Sequence, residues 1–194
     1  MNAGRRFSQA ISEGDGISLI ARVSAADDAA RVEEQGAEAV LVASGDGALG
    51  QIRSATSLPV LLAWPRDLGR PPPEEADACL LDVGEDLDTL ADLSRELGET
   101  CELAFRIDDE EQLESALEEL DPEIFLLSPE DEDEDPLEQV LDLLPDVPAG
   151  KLAIAEVQIR SRGDVDALER AGVDAVIVER ADVSRLVGEA PPEV

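Results

Sequence analysis

The stretch KLAIAEVQIRSRGDVDALERAGVDAVIVER, residues Lys151–Arg180, reads as one complete strand–helix–strand unit and decides the fold. A short apolar run, Leu152–Glu156, precedes the helical segment Gly163–Ala171, whose apolar residues recur at helical spacing. Gly172 ends that helix, and a second apolar run, Val173–Val178, follows it. A unit of this kind places two strands side by side in parallel, joined by the helix.

The same pattern recurs along the rest of the chain. Apolar runs typical of buried strands are predicted at Ile17–Val23, Ala37–Ala43, Leu58–Trp64, Asp77–Val83, Cys101–Ile107 and Glu123–Ser128. Helices are predicted at Phe7–Glu13, Ala25–Gln35, Ala48–Ala55, Leu87–Leu97, Asp109–Leu120, Leu137–Leu144 and Asp182–Val187. The proline-rich loop Arg66–Pro73 predicts a shortened or lost helix.

About eight strands that alternate with helices predict an α/β fold with a parallel sheet. A repeat of about 22–25 residues favours closure into a compact (β/α)8 TIM barrel. We therefore expect one barrel domain over residues 1–194, with a short N-terminal extension at 1–16 and a frayed tail at 188–194.

The charge of the chain is strongly negative, with 47 acidic residues against 15 basic ones and a net charge of −32. Such a field repels nucleic acid and anionic membranes, so we expect neither as a partner. Acidic excess with a single lysine, Lys151, is typical of a halophilic protein, because molar salt shortens the Debye length to about 3 Å. The first residues lack the apolar middle of a secretion signal, which predicts a cytoplasmic location.

The residues that usually hold metals or cofactors are scarce. Histidine is absent, and the first strand is followed by ISLIARVSAADDAA without glycine, so no dinucleotide cofactor and no metal are predicted. The acidic loop Pro129–Pro136 lacks the glycine and terminal glutamate of an EF-hand, and is predicted to be solvated. Cys79 and Cys101 are predicted to be buried free thiols, the alternatives being a disulfide or a reactive thiol.

In a (β/α)8 barrel the functional face lies at the carboxyl ends of the strands. The polar and charged residues expected there include Arg22, Ser24, Ser44, Asp46, Arg66, Asp82, Arg106, Asp108, Ser128, Glu156, Gln158, Glu179 and Arg180. Arg22 and Arg106 lie inside apolar strands, where a charge is expensive to bury unless it is paired. They predict either an anion site for a carboxylate or phosphate, or a structural arginine–glutamate lattice with Glu156 and Glu179 that plugs the barrel.

Several pieces of the sequence, in order and at suitable spacing, resemble the indole-3-glycerol-phosphate synthase family. They are ISLIARV, GAEAVLV, TSLPVLL, IDDEEQLESAL and AEVQIRSRGDVDALERAGVDAVIVERA, and together they extend from Phe7 to about Val183. The resemblance implies a (β/α)8 barrel related to tryptophan biosynthesis. It also implies a carboxy-lyase reaction on an aryl ribulose phosphate.

The positions that carry the chemistry of that family differ in this chain. The resemblance places the family's two lysines at Ser24 and Ala63, two of its glutamates at Arg22 and Arg106, and its asparagine at Ser128. Its phosphate-binding serine–glycine pair falls at Val157 and Gln158, and a phosphate-binding glycine falls at Glu179. Glu156 matches the one retained glutamate.

These replacements predict a barrel that lacks the usual catalytic activity of the family, since the loss of a general acid alone costs about 10²–10⁴ in rate. It would instead bind a small anionic metabolite through Arg22, Arg106, Ser128 and Glu179, or bind a partner protein of unknown kind. The alternative is an active carbon–carbon lyase, either an indole-3-glycerol-phosphate synthase or a related phosphosugar lyase or isomerase with a rebuilt site. In that enzyme Glu156 would be the catalytic residue.

Overall fold

A computed structural model describes residues 5–13, 16–43, 48–65, 73–84, 86–129 and 135–187. Eight parallel strands pair in sequence order, and the last pairs with the first, so the sheet closes into a barrel. The (β/α)8 fold predicted from the sequence is confirmed. The predicted tail at 188–194 and residues 1–4 and 14–15 of the predicted extension lie outside the described residues.

The strands and helices alternate as the repeat predicted. The strands are β1 Ser18–Val23, β2 Ala39–Ala43, β3 Val60–Ala63, β4 Ala78–Asp82, β5 Glu102–Ile107, β6 Ile124–Leu127, β7 Leu152–Ala155 and β8 Ala175–Glu179. The helices are α1 Arg6–Ser12, α2 Ala26–Glu34, α3 Leu49–Ala55, α4 Leu87–Leu97, α5 Glu110–Glu119, α6 Pro136–Leu143, α7 Arg162–Ala171 and α8 Val183–Leu186. A 3-10 turn, Leu144–Asp146, follows α6 and was not predicted.

Most helix boundaries differ from the prediction because the capping residues had been counted as helix. Asp109 is the N-cap of α5, and its side chain accepts the backbone N–H of Gln112. Ser161 and Asp164 form a capping box at the start of α7, and Gly172 ends that helix with a φ of 101°. Residues 66–72 of the proline-rich loop lie outside the described residues, and the flanking residues 64–65 and 73–77 contain no helix.

The barrel interior is filled by small and branched aliphatic side chains. Ile20, Leu41, Leu61, Leu80 and Ile154 are among the buried residues that point inward from alternate positions of the strands. The opposite face of each strand packs against the helices and forms the second apolar cluster. Both faces of the sheet are therefore buried, which explains why the strands are apolar except near their ends.

Helix α1 closes the N-terminal end of the barrel. Phe7 and Ile11 are buried to 0% and 2% relative exposure and belong to the interior cluster. Glu102, the first residue of β5, accepts the backbone N–H groups of Phe7 at 2.7 Å and of Ser8 at 3.1 Å. An aliphatic interior with few aromatic side chains leaves space at this end, and Phe7 fills it.

Carboxylates that come just before a strand bind the backbone of the strand preceding it in the sheet. Glu38, Asp77 and Asp174 accept the N–H groups of Leu19, Val60 and Ala153 at 2.7, 2.8 and 2.8 Å respectively. Burial raises the pKa of Glu38 and of Asp174, and their backbone hydrogen bonds oppose that effect only in part. The charged form of each carboxyl group therefore costs some stability in the folded protein.

We expect Asp174→Asn to become more stable than the wild type as the pH rises. A carboxyl group whose pKa is raised by folding contributes stability below its unfolded pKa, and this contribution is lost as the pH rises through the folded pKa. Asparagine keeps an oxygen for the Ala153 N–H but does not titrate. Urea unfolding between pH 3.5 and 7 in fixed molar KCl measures the difference in the free energy of unfolding between the variant and the wild type. Asp142→Asn, at an exposed position, is the control. A difference that does not change with pH would contradict the prediction.

The barrel is expected to lose stability in dilute buffer. A net charge of −32 repels itself over a Debye length of about 10 Å at 0.1 M salt, whereas molar KCl screens it to about 3 Å. The midpoint of thermal unfolding should rise steadily from 0.1 M to 2 M KCl. A protein equally stable in dilute buffer would show that its acidic surface is not an adaptation to salt.

Candidate functional site

The carboxyl ends of the strands carry a connected group of five charged side chains, which we call the mouth network: Asp82, Arg106, Glu156, Arg22 and Glu179. Glu156, directly after β7, lies at its centre. One of its oxygens, Oε1, accepts Arg22 Nη2 from β1. The other, Oε2, accepts Arg106 Nε at 3.2 Å and lies 3.1 Å from Arg106 Nη2, both on β5. Both oxygens of Glu156 are thus occupied by guanidinium groups.

The outer members of the mouth network pair across neighbouring strands. Glu179 Oε1 lies 3.3 Å from Arg22 Nε, and these residues are register partners in β8 and β1. Asp82 Oδ1 accepts Arg106 Nη1 at 2.8 Å, and these residues are register partners in β4 and β5. The strand register therefore sets both outer pairs, and Glu156 joins them.

Solvent reaches the outer members of the mouth network far more than its centre. The side chains of Glu156 and Arg106 are 16% and 25% exposed, and that of Arg22 is 42% exposed. Glu179 and Asp82 are 68% and 64% exposed. Water screens the outer pairs, so each contributes little to stability. Glu156 is less exposed, so its charge needs the two arginines to offset the cost of burial.

Four of the five site residues expected from the sequence lie together. Arg22, Arg106, Glu156 and Glu179 are in the mouth network, whereas Ser128 follows β6 at the same end of the barrel and is not bonded to them. The analysis of the sequence placed Asp82 at the end of a strand but did not select it. Its inward position, in register with Arg106, was the signal that could have identified it.

The single lysine lies at the opposite end of the barrel, just before β7. Lys151 Nζ binds Glu123 at 2.8 Å and Asp121 at 3.0 Å, and these hydrogen bonds raise the pKa of the lysine. With no histidine in the chain, the described part of the mouth offers arginines and paired carboxylates. Within the described residues, no cluster of three or more possible metal ligands occurs. Residues 130–134 of the acidic loop lie outside the description.

A cleft of about 440 Å³ opens beside the mouth network, between the ends of β7 and β8. Arg22, Glu156, Gln158, Glu179 and Asp182 provide its polar lining. Phosphate sites in such barrels often lie at this position, formed by the loops after strands seven and eight. Three of these residues are carboxylates, and they are paired in part, since Arg106 also binds Glu156 and Arg185 binds Asp182.

Comparison with known proteins supports the fold and no particular activity. No family model and no curated protein matches the sequence. A solved structure of wild-type GGGPS (geranylgeranylglyceryl phosphate synthase) from Thermoplasma volcanium is similar, with a TM-score of 0.62 and 13% identity over 96% of this chain and 94% of that chain. Because 615 chains of solved structures match, this likeness identifies a widely shared fold.

The predicted membership of the indole-3-glycerol-phosphate synthase family is wrong. The structure that matches nearly the whole chain belongs to a different barrel family, and nothing in the comparisons supports a role in tryptophan biosynthesis or a lyase activity. The resembling pieces are mostly apolar strands with helix caps and charged helix faces. Those features are demanded by any (β/α)8 barrel, so they identified the fold rather than the family.

In the described residues, no helix is long and apolar enough to cross a bilayer.

Proposed function

We propose that this protein is a (β/α)8 barrel without catalytic activity at its mouth, which acts by binding. The observation that carries the proposal is the pairing of Glu156, whose two oxygens both bind arginines. A general base needs a free lone pair within about 3 Å of the proton that it removes. With both oxygens bonded to arginines and a side chain only 16% exposed, Glu156 offers a substrate proton little access.

The remaining groups of the mouth network do not replace that function. Arginine stays protonated in proteins, so Arg22 and Arg106 cannot exchange protons with a substrate. Glu179 and Asp82 are exposed and neutralise the outer edges of these arginines. The mouth network therefore has the character of a structural lattice, and we assign its role to closing the C-terminal end of the barrel.

Turnover assays test this proposal. Small phosphosugars incubated with the full chain in molar KCl should react no faster than they do without the protein. Glu156→Gln should make no difference to that rate. Turnover that disappears in folded Glu156→Gln protein would overturn the proposal and favour a phosphosugar lyase or isomerase with a rebuilt site.

A second candidate function is the binding of a small anion at Arg22. The side chain of Arg22 is 42% exposed and lines the cleft, and its Nε lies 3.3 Å from Glu179 Oε1. A phosphate or carboxylate ligand could replace Glu179 on that edge. The GGGPS name refers to a phosphate compound, and the corresponding ligand class here is a small phosphomonoester. The carboxylates of the cleft compete with such a ligand, and we expect weak binding in the wild type.

The prediction for this candidate is a gain in affinity on Glu179→Gln. Removal of a competing carboxylate next to Arg22 should strengthen the binding of glycerol phosphate by about threefold to tenfold in molar KCl. Titration followed by the side-chain N–H resonance of Arg22 measures the effect. Asp88→Asn, on the exposed face of α4, makes the same change in net charge away from the cleft and should leave the affinity unchanged. Equal affinity in all three proteins would exclude Arg22 as the anion site.

A further inference from the structure

The two cysteines of the chain lie in contact on the outer side of the barrel. Cys79 is in β4, and Cys101 comes directly before β5, where α4 covers both. Their Sγ atoms are 3.4 Å apart, and both are free, buried thiols, as predicted. Cys101 Sγ also lies 3.7 Å from the carbonyl oxygen of Leu97, at the end of α4.

We propose that Cys79 and Cys101 form a peroxide-sensitive pair, which is converted reversibly into an intramolecular disulfide. A disulfide needs the sulfurs about 1.4 Å closer than the 3.4 Å seen between the thiols. Cys79 is held within the sheet, whereas Cys101 ends the connection from α4 to β5, which begins at Gly98. That connection supplies the movement, so the β4 backbone does not need to shift.

The surroundings of the pair determine which thiol reacts first. Cys101 lines a groove of about 700 Å³ bounded by α1, α4 and the start of β5, and Cys79 does not line it. The contact between the thiols lowers the pKa of Cys101, and together with burial it raises the pKa of Cys79. Cys101 is thus the thiol that borders the groove, and we assign it the first step, in which its thiolate is the nucleophile.

The reaction proceeds in two steps that balance with hydrogen peroxide as the oxidant. The Cys101 thiolate attacks one peroxide oxygen, the O–O bond breaks, and Cys101 sulfenic acid and hydroxide form. The Cys79 sulfur then attacks Cys101 sulfur and displaces the hydroxyl group, which leaves as water with the Cys79 proton. Two thiols and one hydrogen peroxide give one disulfide and two waters.

The charge around the groove selects a neutral oxidant. Four carboxylates, those of Glu102, Glu119, Asp121 and Glu123, line the same groove as Cys101 together with two arginines, Arg5 and Arg95, and the whole chain carries a net charge of −32. An anionic disulfide such as oxidised glutathione is repelled from this surface, while hydrogen peroxide is small and uncharged. We therefore assign hydrogen peroxide as the oxidant of this site.

Thiol counting on the full-length protein tests the proposal. The folded protein in molar KCl is exposed to hydrogen peroxide, quenched, alkylated in denaturant and analysed by mass spectrometry. Both thiols should be lost together, with one cross-linked peptide pair within a monomer, and dithiothreitol should restore both. The loss should be slower with oxidised glutathione at equal concentration, because Cys101 is only 6% exposed and a small molecule reaches it more readily than a large one. Equal rates with the two oxidants would overturn the assignment of the oxidant.

Two single variants give the order of the steps. In Cys79→Ser, Cys101 should stop at the sulfenic acid, which dimedone traps. In Cys101→Ser, Cys79 should stay unmodified while the protein is folded. The proposal fails if the wild-type thiols react only in denaturant, if Cys101 alone is lost, or if the cross-link joins two molecules. These outcomes are read on the wild-type protein, so they do not depend on the variants folding.

Discussion

Glu156→Gln is expected to destabilise the barrel by about 2 kcal/mol. This loss is smaller than the one usual for breaking a fully buried ion pair, because the arginine partners of Glu156 are partly exposed. The change removes the one carboxylate that separates Arg22 from Arg106, so two guanidinium groups face each other across a neutral amide. For a chain of this length, the midpoint of thermal unfolding should fall by about 4–8 °C. The measurement is thermal unfolding in fixed molar KCl.

The outer carboxylates of the mouth network provide the matched controls. Glu179→Gln and Asp82→Asn remove the same charge from positions that are 68% and 64% exposed, and each should cost less than about 1 kcal/mol. Replacing Arg22, Arg106 and Glu156 together by leucine should recover much of the loss, because a buried ion network can often be exchanged for apolar side chains. If Glu156→Gln costs no more than Glu179→Gln, Glu156 does not organise the mouth network.

Phe7→Ala is expected to have the largest effect of any single substitution considered for this protein, a loss of about 3–5 kcal/mol. Phe7 is completely buried and closes the N-terminal end of the barrel together with Ile11. Removal of its ring leaves a cavity among aliphatic side chains that are fixed by the sheet and cannot collapse into it. Urea unfolding in constant KCl measures the loss.

A control in the same helix separates packing from helix formation. Gln9→Ala, on the exposed side of α1, removes a hydrogen bond to Glu13 and should change stability by less than about 0.5 kcal/mol. Phe7→Leu should cost less than Phe7→Ala because it fills part of the space. Equal effects of Phe7→Ala and Gln9→Ala would show that α1 does not seal the barrel in solution.

Much of the architecture was predictable because it depends on local patterns. The unit from Lys151 to Arg180 contains two apolar runs and a glycine at 172, each visible as a residue type at a fixed spacing, whereas the capping box at Ser161 was not identified from the sequence. Element boundaries differed by one or two residues in most cases. At those positions hydrogen bonds to neighbouring strands or to capping side chains decide whether a residue joins an element.

The family assignment shows how far pattern alone can mislead. Apolar parallel strands and amphipathic helices recur in unrelated barrels, so their likeness carries information about the fold and little about the chemistry. The residues that differ from the assumed family, among them Arg22, Arg106 and Glu179, were in fact the informative ones. At the C-terminal end of this barrel, these charged side chains form ion pairs with one another and with Glu156.

By itself the sequence determined the barrel, the net charge of −32 and the placing of Arg22, Arg106, Glu156 and Glu179 at one end, because period, composition and strand direction are properties of the chain. The tertiary structure alone decided how these charges are paired, that α1 closes the other end, and that Cys79 and Cys101 touch. Each of these depends on the register between strands distant in sequence and on the closure of the sheet. Closure brings side chains more than 100 residues apart into contact, as with Arg22 and Glu156, separated by 134 positions.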